Sequence, residues 1–362
     1  MGGTEKKYVD EAFATNWIAP LGPNVNGFEK AIREQLGNEA YVAALSSGTA
    51  AIHLGLELLG VGKGDEVICQ SFTFSASANP ILYLGAEPVF VDSESDTWNL
   101  SPSLLRSAIE DRIKNHKKPK AIIAVHLYGM PYKVNEIRAI ADEFQIPILE
   151  DSAEALGSTY EGNACGTFGD IGILSFNGNK IITTSGGGAL VSKNKNYTDK
   201  AIFLATQARD DAPHYQHSHI GYNYRMSNVL AGIGRGQMEV LEERVAARRA
   251  NHKFYEEALA SFSEIDFLQE PEGYFSNRWL SCILTPSFEI RERLRLALLE
   301  ENIESRPLWK PLHLQPIFSD HAQFMDGTSQ VLFERGLCLP SGSNLSQEDL
   351  EYVVATIKNV LS

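Results

Sequence analysis

The stretch from residue 146 to 191, IPILEDSAEALGSTYEGNACGTFGDIGILSFNGNKIITTSGGGALV, constrains this chain more than any other. A short apolar run ends in a carboxylate, Asp151. A second run, IGILSF, carries Ser175, and Lys180 follows five residues later in a turn of Asn and Gly. Thr183, Thr184, Ser185 and three glycines then lead into a third apolar run. Apolar runs of this length between turn residues read as buried strands of a parallel sheet. Polar groups just beyond the C-terminal ends of such strands sit where open α/β sheets bind ligands.

Taken singly, these residues have ordinary readings. A loop lysine is most often a solvated charge, and an Asp after a strand is often a helix N-cap. Converging, they match the needs of a pyridoxal phosphate site. Lys180 would form the Schiff base and later act as the base that moves a proton, and Asp151 would keep the pyridine nitrogen protonated. Small polar groups would hold the phosphate. SSGTA (Ser46–Ala50), between a strand and a helix N-terminus, offers free backbone N–H groups for that purpose, although a simple cap also explains it. Phe74 in QSFTFSAS is placed to cover a cofactor ring or to fill a core.

The remaining pattern fits an α/β fold. YVAAL, the segment Asp65–Cys69, EPVFVD, AIIAV and IPILED read as strands, with helices between them. One helix opens at Ser101-Pro102 and another spans Val134–Phe144. This alternation predicts a mainly parallel sheet covered on both faces. The first thirty residues, rich in Pro, Gly and Asn, read as a loop that packs through Trp17, Ile18 and Phe28. A long helical stretch is expected over Asn228–Ala260. A large domain is placed over residues 1–240 and a small C-terminal domain over 241–362, the latter with a strand in NRWLSCILT and helices at Glu289–Glu301 and Gln347–Leu361.

Composition narrows the function. The chain has 362 residues and a net charge of −14, so no strong positive field invites nucleic acid. The basic run RIKNHKKPK reads as a solvated loop. Four cysteines far apart in sequence, without a CxxC, suit free thiols in a reducing compartment. No apolar run is long enough to span a bilayer and the start lacks a signal-peptide pattern, so a cytoplasmic protein with no membrane partner is expected. HYQHSH (His214, His217, His219) has no framing carboxylates or cysteines and reads as solvated histidines, so no metal is expected. No GxGxxG follows a strand, which argues against a nicotinamide site.

Several long motifs carry a resemblance: SSGTAAIHLGLELLGVGKGDEVI, SFTFSASANPILYLGAEPVFVD, VHLYGMP, LEDSAEALGS, GDIGILSFNGNKIITTSGGGALV and GYNYRMSNVLAGIGRGQ. Over nearly its whole length the chain resembles the DegT/DnrJ/EryC1/StrS family of sugar aminotransferases, which have the fold type I architecture of aspartate aminotransferase. The resemblance implies a large, mainly parallel α/β/α domain with a small C-terminal α+β domain. It implies Lys180 as the Schiff-base lysine, Asp151 at the ring nitrogen, Phe74 stacked on the ring and Glu154 near its hydroxyl. Gly48, Thr49 and Ser175 would hold the phosphate, and Asn223 would reach it from the neighbouring subunit of a homodimer.

NWIAPLGPNVNGFE, SNRWLSCIL and SRPLWKPLHLQPIF resemble the branch that aminates C4 of nucleotide-linked 4-keto-6-deoxy sugars, with glutamate as the implied donor. UDP-linked, bacillosamine-type enzymes match best and GDP-perosamine synthases come next. Asn16 and Ile18 would belong to the substrate wall. Arg306 and Lys310 would meet a diphosphate, and Trp309 and His313 would line the sugar site, although Trp309 also reads as packing of the small domain. Two alternatives stay open: a pyridoxal phosphate-dependent sugar dehydratase, in which family a histidine replaces the lysine, and a non-catalytic regulator. Relatives begin several residues before the point matching Met1.

Overall fold

The computed structural model describes residues 1–361. The chain opens with α1 (Glu5–Ala14) and α2 (Pro23–Gln35), then β1 (Tyr41–Leu45), α3 (Gly48–Leu58), β2 (Glu66–Gln70), α4 (Asn79–Tyr83) and β3 (Glu87–Val91). It continues through α5 (Pro102–Lys114), β4 (Ala121–Val125), α6 (Val134–Phe144) and β5 (Ile148–Asp151). Two short strands, β6 (Thr159–Tyr160) and β7 (Asn163–Ala164), precede β8 (Ile171–Ser175), β9 (Gly188–Ser192) and α7 (Lys195–Ala205). After α8 (Asn228–Met238) and α9 (Leu241–Leu259) come β10 (Asp266–Phe267), β11 (Tyr274–Phe275), β12 (Ser281–Leu284), α10 (Phe288–Glu300) and β13 (Arg306–Pro307). The chain ends with β14 (Gln323–Phe324), α11 (Thr328–Arg335), β15 (Gly336–Leu339) and α12 (Gln347–Leu361).

The main sheet has the order β1-β9-β8-β5-β4-β2-β3-β14. Its neighbours from β8 to β14 pair in parallel, whereas β9 runs antiparallel to both β8 and β1. The third apolar run was therefore misjudged as a parallel strand. A parallel return needs a crossover long enough to span the sheet. The link from Phe176 to Gly187 contains no helix and brings the chain straight back.

Alternation along the strands builds a core on each face. Val67, Cys69, Phe90, Ile123, Val125, Leu149 and Ile173 pack with α3 and α7. Ile68, Val89, Val91, Ile122, Ala124 and Ile148 pack with α5 and α6 on the other face. Phe28, Leu174, Phe176 and Val191 join α2, α8 and the start of α9 over the β9 end. Each fully buried aliphatic side chain contributes about 1.5–3 kcal/mol, so these layers dominate stability. Serines set where the covering helices begin: Ser47, Ser101 and Ser227 accept from Ala50, Leu104 and Leu230 N–H groups at the starts of α3, α5 and α8.

The first thirty residues form two helices rather than a loop. Pro23 occupies the first turn of α2, where its missing N–H costs nothing. The Asn228 side chain accepts from the Asn24 and Val25 N–H groups, completing that helix end from a distant part of the chain. The expected stretch Asn228–Ala260 is two helices, broken at Glu239–Val240.

A second sheet, β10-β12-β15-β13, is antiparallel throughout. It packs through Ile283, Leu337 and Leu339 against α10, α12 and the end of α9. The chain from Leu312 to Phe324 returns to the large sheet, where Leu312 and Phe318 join its core and β14 pairs with β3. We propose the small domain as residues 241–362 with this excursion. Cys282 and Cys338 are register partners on β12 and β15, their sulfurs 3.8 Å apart, although far apart in sequence; all four thiols are free.

His252 on α9 is buried with neither ring nitrogen bonded to a protein group. Burial, then the nearby Arg278 charge, pushes its imidazole down to about 3. The unfolded chain takes up this proton below about pH 6.5 and the native state does not. Stability is therefore lost as pH falls from 6.5 towards 3. Between pH 7.5 and 5.0 this residue alone should cost about 2 kcal/mol. Urea unfolding midpoints at the two pH values should fall less in His252→Leu than in the wild type.

Candidate active site

The Lys180 side chain rises from the turn between β8 and β9 into a cavity of about 310 Å³. Ser47, Gly48, Thr49, Phe74, Ser77 and Asp151 are among the residues lining it, with Glu154, Ser175 and Trp309. Parallel strands and the β8–β9 reversal deliver these groups to one edge of the sheet, so most of the residues singled out in the sequence meet there.

At one end lies Asp151, on the last residue of β5 and 4% exposed. Its carboxylate accepts from the Ser77 hydroxyl at 2.7 Å and the Ala153 N–H at 3.1 Å. It is thus an aimed, buried charge rather than a helix cap. A buried carboxylate with no cationic side chain bonded to it suits a protonated ring nitrogen.

At another side, α3 points its N-terminus into the cavity. Ser47 caps the helix through Ala50, and the Gly48 and Thr49 N–H groups belong to the first turn, which has no intrahelical partners. A Cβ on Gly48 would lie 3.0 Å from the Ser175 Cβ, and one on Gly188 would lie 2.4 Å from the Gly48 nitrogen. Glycine at both positions lets helix, β8 and β9 close into a cradle of N–H groups and one hydroxyl, which suits a phosphate. The donor set therefore fits pyridoxal phosphate: a lysine, a buried acid and an anion cradle on the walls of one cavity.

The Lys180 Nζ lies 3.4 Å from Glu154 Oε1 and 4.3 Å from the centroid of the Trp279 ring. Burial raises the Glu154 carboxyl above its ordinary value, with the Lys180 charge pulling the other way. Its second oxygen accepts from the Tyr128 N–H at 2.7 Å. Tyr128 is held at φ 54° to make that bond, a backbone state that costs a bulky residue about 1 kcal/mol or more. Phe74 is 57% exposed over the cavity and meets Trp309 edge to face, so it is a cover and not a core residue.

Beyond Phe74 and Trp309 opens a larger cleft of about 1040 Å³. It shares Thr73, Phe74, Asn179 and Trp309 with the lysine cavity. Lys310 and Arg306 line it. The exposed Arg306 guanidinium pairs with Glu304 at 2.6 Å, a contact of about 0–1 kcal/mol that an anion in the cleft can displace. The expectation for His313 fails. Its Nδ1 bonds the Ser71 hydroxyl at 2.7 Å, and it lines neither cavity. Asn16 and Ile18 are exposed and line neither cavity of their own chain. Asn223 is also exposed, its carbonyl taking the Gln207 amide at 3.1 Å, outside the lysine cavity of its own chain.

Residue reasoning missed Trp279, Ser77 and Tyr128. Ser77 was legible in principle as a hydroxyl three residues past Phe74. Trp279 carried no local signal, because its contact with Lys180 joins residues far apart in sequence.

The chain matches the DegT/DnrJ/EryC1/StrS aminotransferase family over residues 1–358. It is 53% identical over 367 aligned positions to EpsN of Bacillus subtilis (strain 168), described as a pyridoxal phosphate-dependent aminotransferase, covering 99% of this chain and 93% of that one. It is 39% identical to a GDP-perosamine synthase of Escherichia coli O157:H7, covering 99% and 96% of the two chains. A DegT DnrJ EryC1 StrS aminotransferase from Brucella abortus superposes with a TM-score of 0.93 at 31% identity, covering 99% of this chain and 95% of that one. The sheet, the lysine cavity and these matches together make the chain a pyridoxal phosphate-dependent aminotransferase of fold type I, and it belongs to the DegT/DnrJ/EryC1/StrS aminotransferase family.

Proposed function

We propose that the protein moves an amino group from glutamate to C4 of a nucleotide-linked 4-keto-6-deoxy sugar, UDP-linked and of the bacillosamine type, for surface glycan synthesis. The observation that carries this reading is the large cleft joined to the lysine cavity through Phe74, Asn179 and Trp309. An amino acid alone does not need that space, whereas a sugar carrying a nucleotide does. Lys310 supplies a cation on the wall of the large cleft, and Trp309 offers a flat apolar face of the kind sugar rings pack against. The GDP-perosamine synthase match supports a second reading, a GDP-linked substrate of the same class.

The chemistry divides among the chain's own groups. Pyridoxal phosphate, when bound, supplies an electron sink for the charge left when a substrate carbon loses its proton. Asp151 would hold the proton on the ring nitrogen that makes that sink effective. Gly48, Thr49 and Ser175 would hold the phosphate. Lys180 is the base whose amino group takes the proton from the donor's α-carbon and, in the second half-reaction, delivers one to the sugar carbon that receives the amine. Glu154 keeps the freed amino group within reach, and the three aromatic rings Phe74, Trp279 and Trp309 exclude water.

Exposed apolar side chains of the N-terminal segment, Phe13, Trp17, Ile18 and Leu21, together with Tyr215 and Ile220, support a homodimer. In it, Asn223 would reach the phosphate of the neighbouring subunit and Asn16 and Ile18 would face substrate. No described helix is long and apolar enough to cross a membrane. We infer a cytoplasmic enzyme, where nucleotide sugars are made.

Incubation with pyridoxal phosphate, glutamate and UDP-, GDP- and dTDP-linked 4-keto-6-deoxy sugars should give an amino sugar by product mass, fastest in the UDP series. Fastest turnover with GDP substrates would move the assignment to the second reading. Loss of the C3 oxygen without amine gain would mean a dehydratase, and cofactor binding without turnover of any keto sugar would mean a regulator. Lys180→Ala should lower kcat by about 10³-fold or more; unchanged turnover would end the reading. Gly48→Ala should weaken cofactor binding about tenfold, read by fluorescence titration, because the added Cβ forces the cradle open against Ser175.

A further inference from the structure

We propose that Trp279 is a positioning residue for the catalytic lysine: its indole face, with the Glu154 carboxylate, forms the seat that holds the Lys180 amino group whenever that group is not joined to the cofactor. This goes beyond the assignments above and rests on Lys180 being the reactive lysine, not on which sugar is used.

The geometry is specific. The Nζ sits 4.3 Å from the centre of the indole ring, with the Glu154 carboxylate at 3.4 Å. The ammonium thus has an electron-rich face as one neighbour and a charge as another. Lys180 is only 11% exposed, so bulk solvent screens either contact little. A cation over an indole face gains about twofold in occupancy at exposed sites and about thirtyfold in dry ones.

Trp279 is itself fixed from several directions. It is 2% exposed. Its indole N–H donates to the Asn179 carbonyl at 2.8 Å, next to Lys180 in the same turn. Its backbone N–H donates to the Asn277 side chain at 2.9 Å, and its carbonyl accepts from the buried Arg248 guanidinium. The ring also packs near Tyr128 and Trp309. The tryptophan therefore clamps the lysine-bearing turn twice, once through Asn179 and once through the amino group.

Trp279 lies between β11 and β12, in a segment tied to the chain after β5: the Asn277 amide that fixes it donates to the Glu154 and Leu156 carbonyls at 2.9 Å, and β11 pairs with β6. The seat is therefore anchored to the same stretch of chain that carries Glu154. A lysine released during amino transfer has a long, flexible stem, and without a seat it would spend most of its time out of proton-transfer geometry. Holding it beside Glu154 and above the indole keeps it within reach for the return proton transfer.

The test leaves side-chain volume almost unchanged. Trp279 is replaced by 5-fluoro-, 5,7-difluoro- and 5,6,7-trifluorotryptophan through site-directed incorporation; fluorine withdraws charge from the ring face but keeps the N–H. In the cofactor-free protein, acylation of Lys180 by acetic anhydride, read by peptide mass, should rise stepwise to about threefold across the series. In the loaded protein, the glutamate half-reaction should slow in the same order, with KM for glutamate within twofold. Trp279→Phe, which keeps a ring but loses the N–H to Asn179, should be intermediate. A flat labelling series in protein that still binds pyridoxal phosphate would overturn the seat while leaving the aminotransferase reading intact. Failure to bind pyridoxal phosphate in the unmodified protein would instead overturn Lys180 itself.

Discussion

Strand β5 must bury two neighbouring carboxylates in the middle of the sheet, and much of the molecule answers that requirement. Glu150 and Asp151 point to opposite faces, as successive strand residues do. An unpaired buried charge costs several kcal/mol. Glu150 is satisfied by the Phe168 and Gly169 N–H groups at 2.7 and 2.8 Å, by the Gly166 N–H, and by His126 at 2.7 Å. Burial pushes its carboxyl up, but the His126 contact and these backbone donors win and hold it below the usual range. The chain between β7 and β8 is thus folded around one oxygen pair. Asp151, with one hydroxyl and one N–H, keeps its remaining capacity for whatever enters the cavity.

The lysine is organised differently. Its connection, Phe176 to Gly187, is exposed in part and lies between antiparallel strands, so the strands fix its two ends and not the lysine side chain. The side chain is fixed by groups remote in sequence, Glu154 and Trp279. The charge network is local to the large sheet, and the lysine's placement is not. That contrast separates Asp151, held within one layer, from Lys180, held by side chains brought together from far apart in sequence.

Much of this was legible in the sequence. Strand and helix periods located β2 to β5, α5, α6 and α12, because buried parallel strands and amphipathic helices leave strong local patterns. That Lys180, Asp151 and the Gly48–Thr49 turn meet in one cavity was legible because ligand pockets in such sheets lie at strand ends. Strand direction leaves no trace in periodicity, so β9 was misjudged. The α2 segment PNVNGFEK looked like a turn because its helix start is completed by Asn228, far along the chain. His313 went wrong because a ring flanked by site residues can still bond inward, here to Ser71. Trp279 was invisible as a site residue because its partner lies far away in sequence.

The helix α9 has a mechanical consequence. Leu241 and Val245, in its first turns, are embedded in the core beneath the large sheet, while Tyr255 and Leu259, near its end, belong to the core of the second sheet. Its 19 residues make a continuous rod about 28 Å long, anchored at both ends. A rod so held cannot act as a free hinge. Relative motion of the two layers has to be a sliding of packed side chains or a slight tilt of the rod, the shear type of displacement. A tilt of about 5° over that length moves the far end by about 2.5 Å. That displacement is delivered to the second sheet, whose Leu339 both packs with the end of α9 and lines the large cleft.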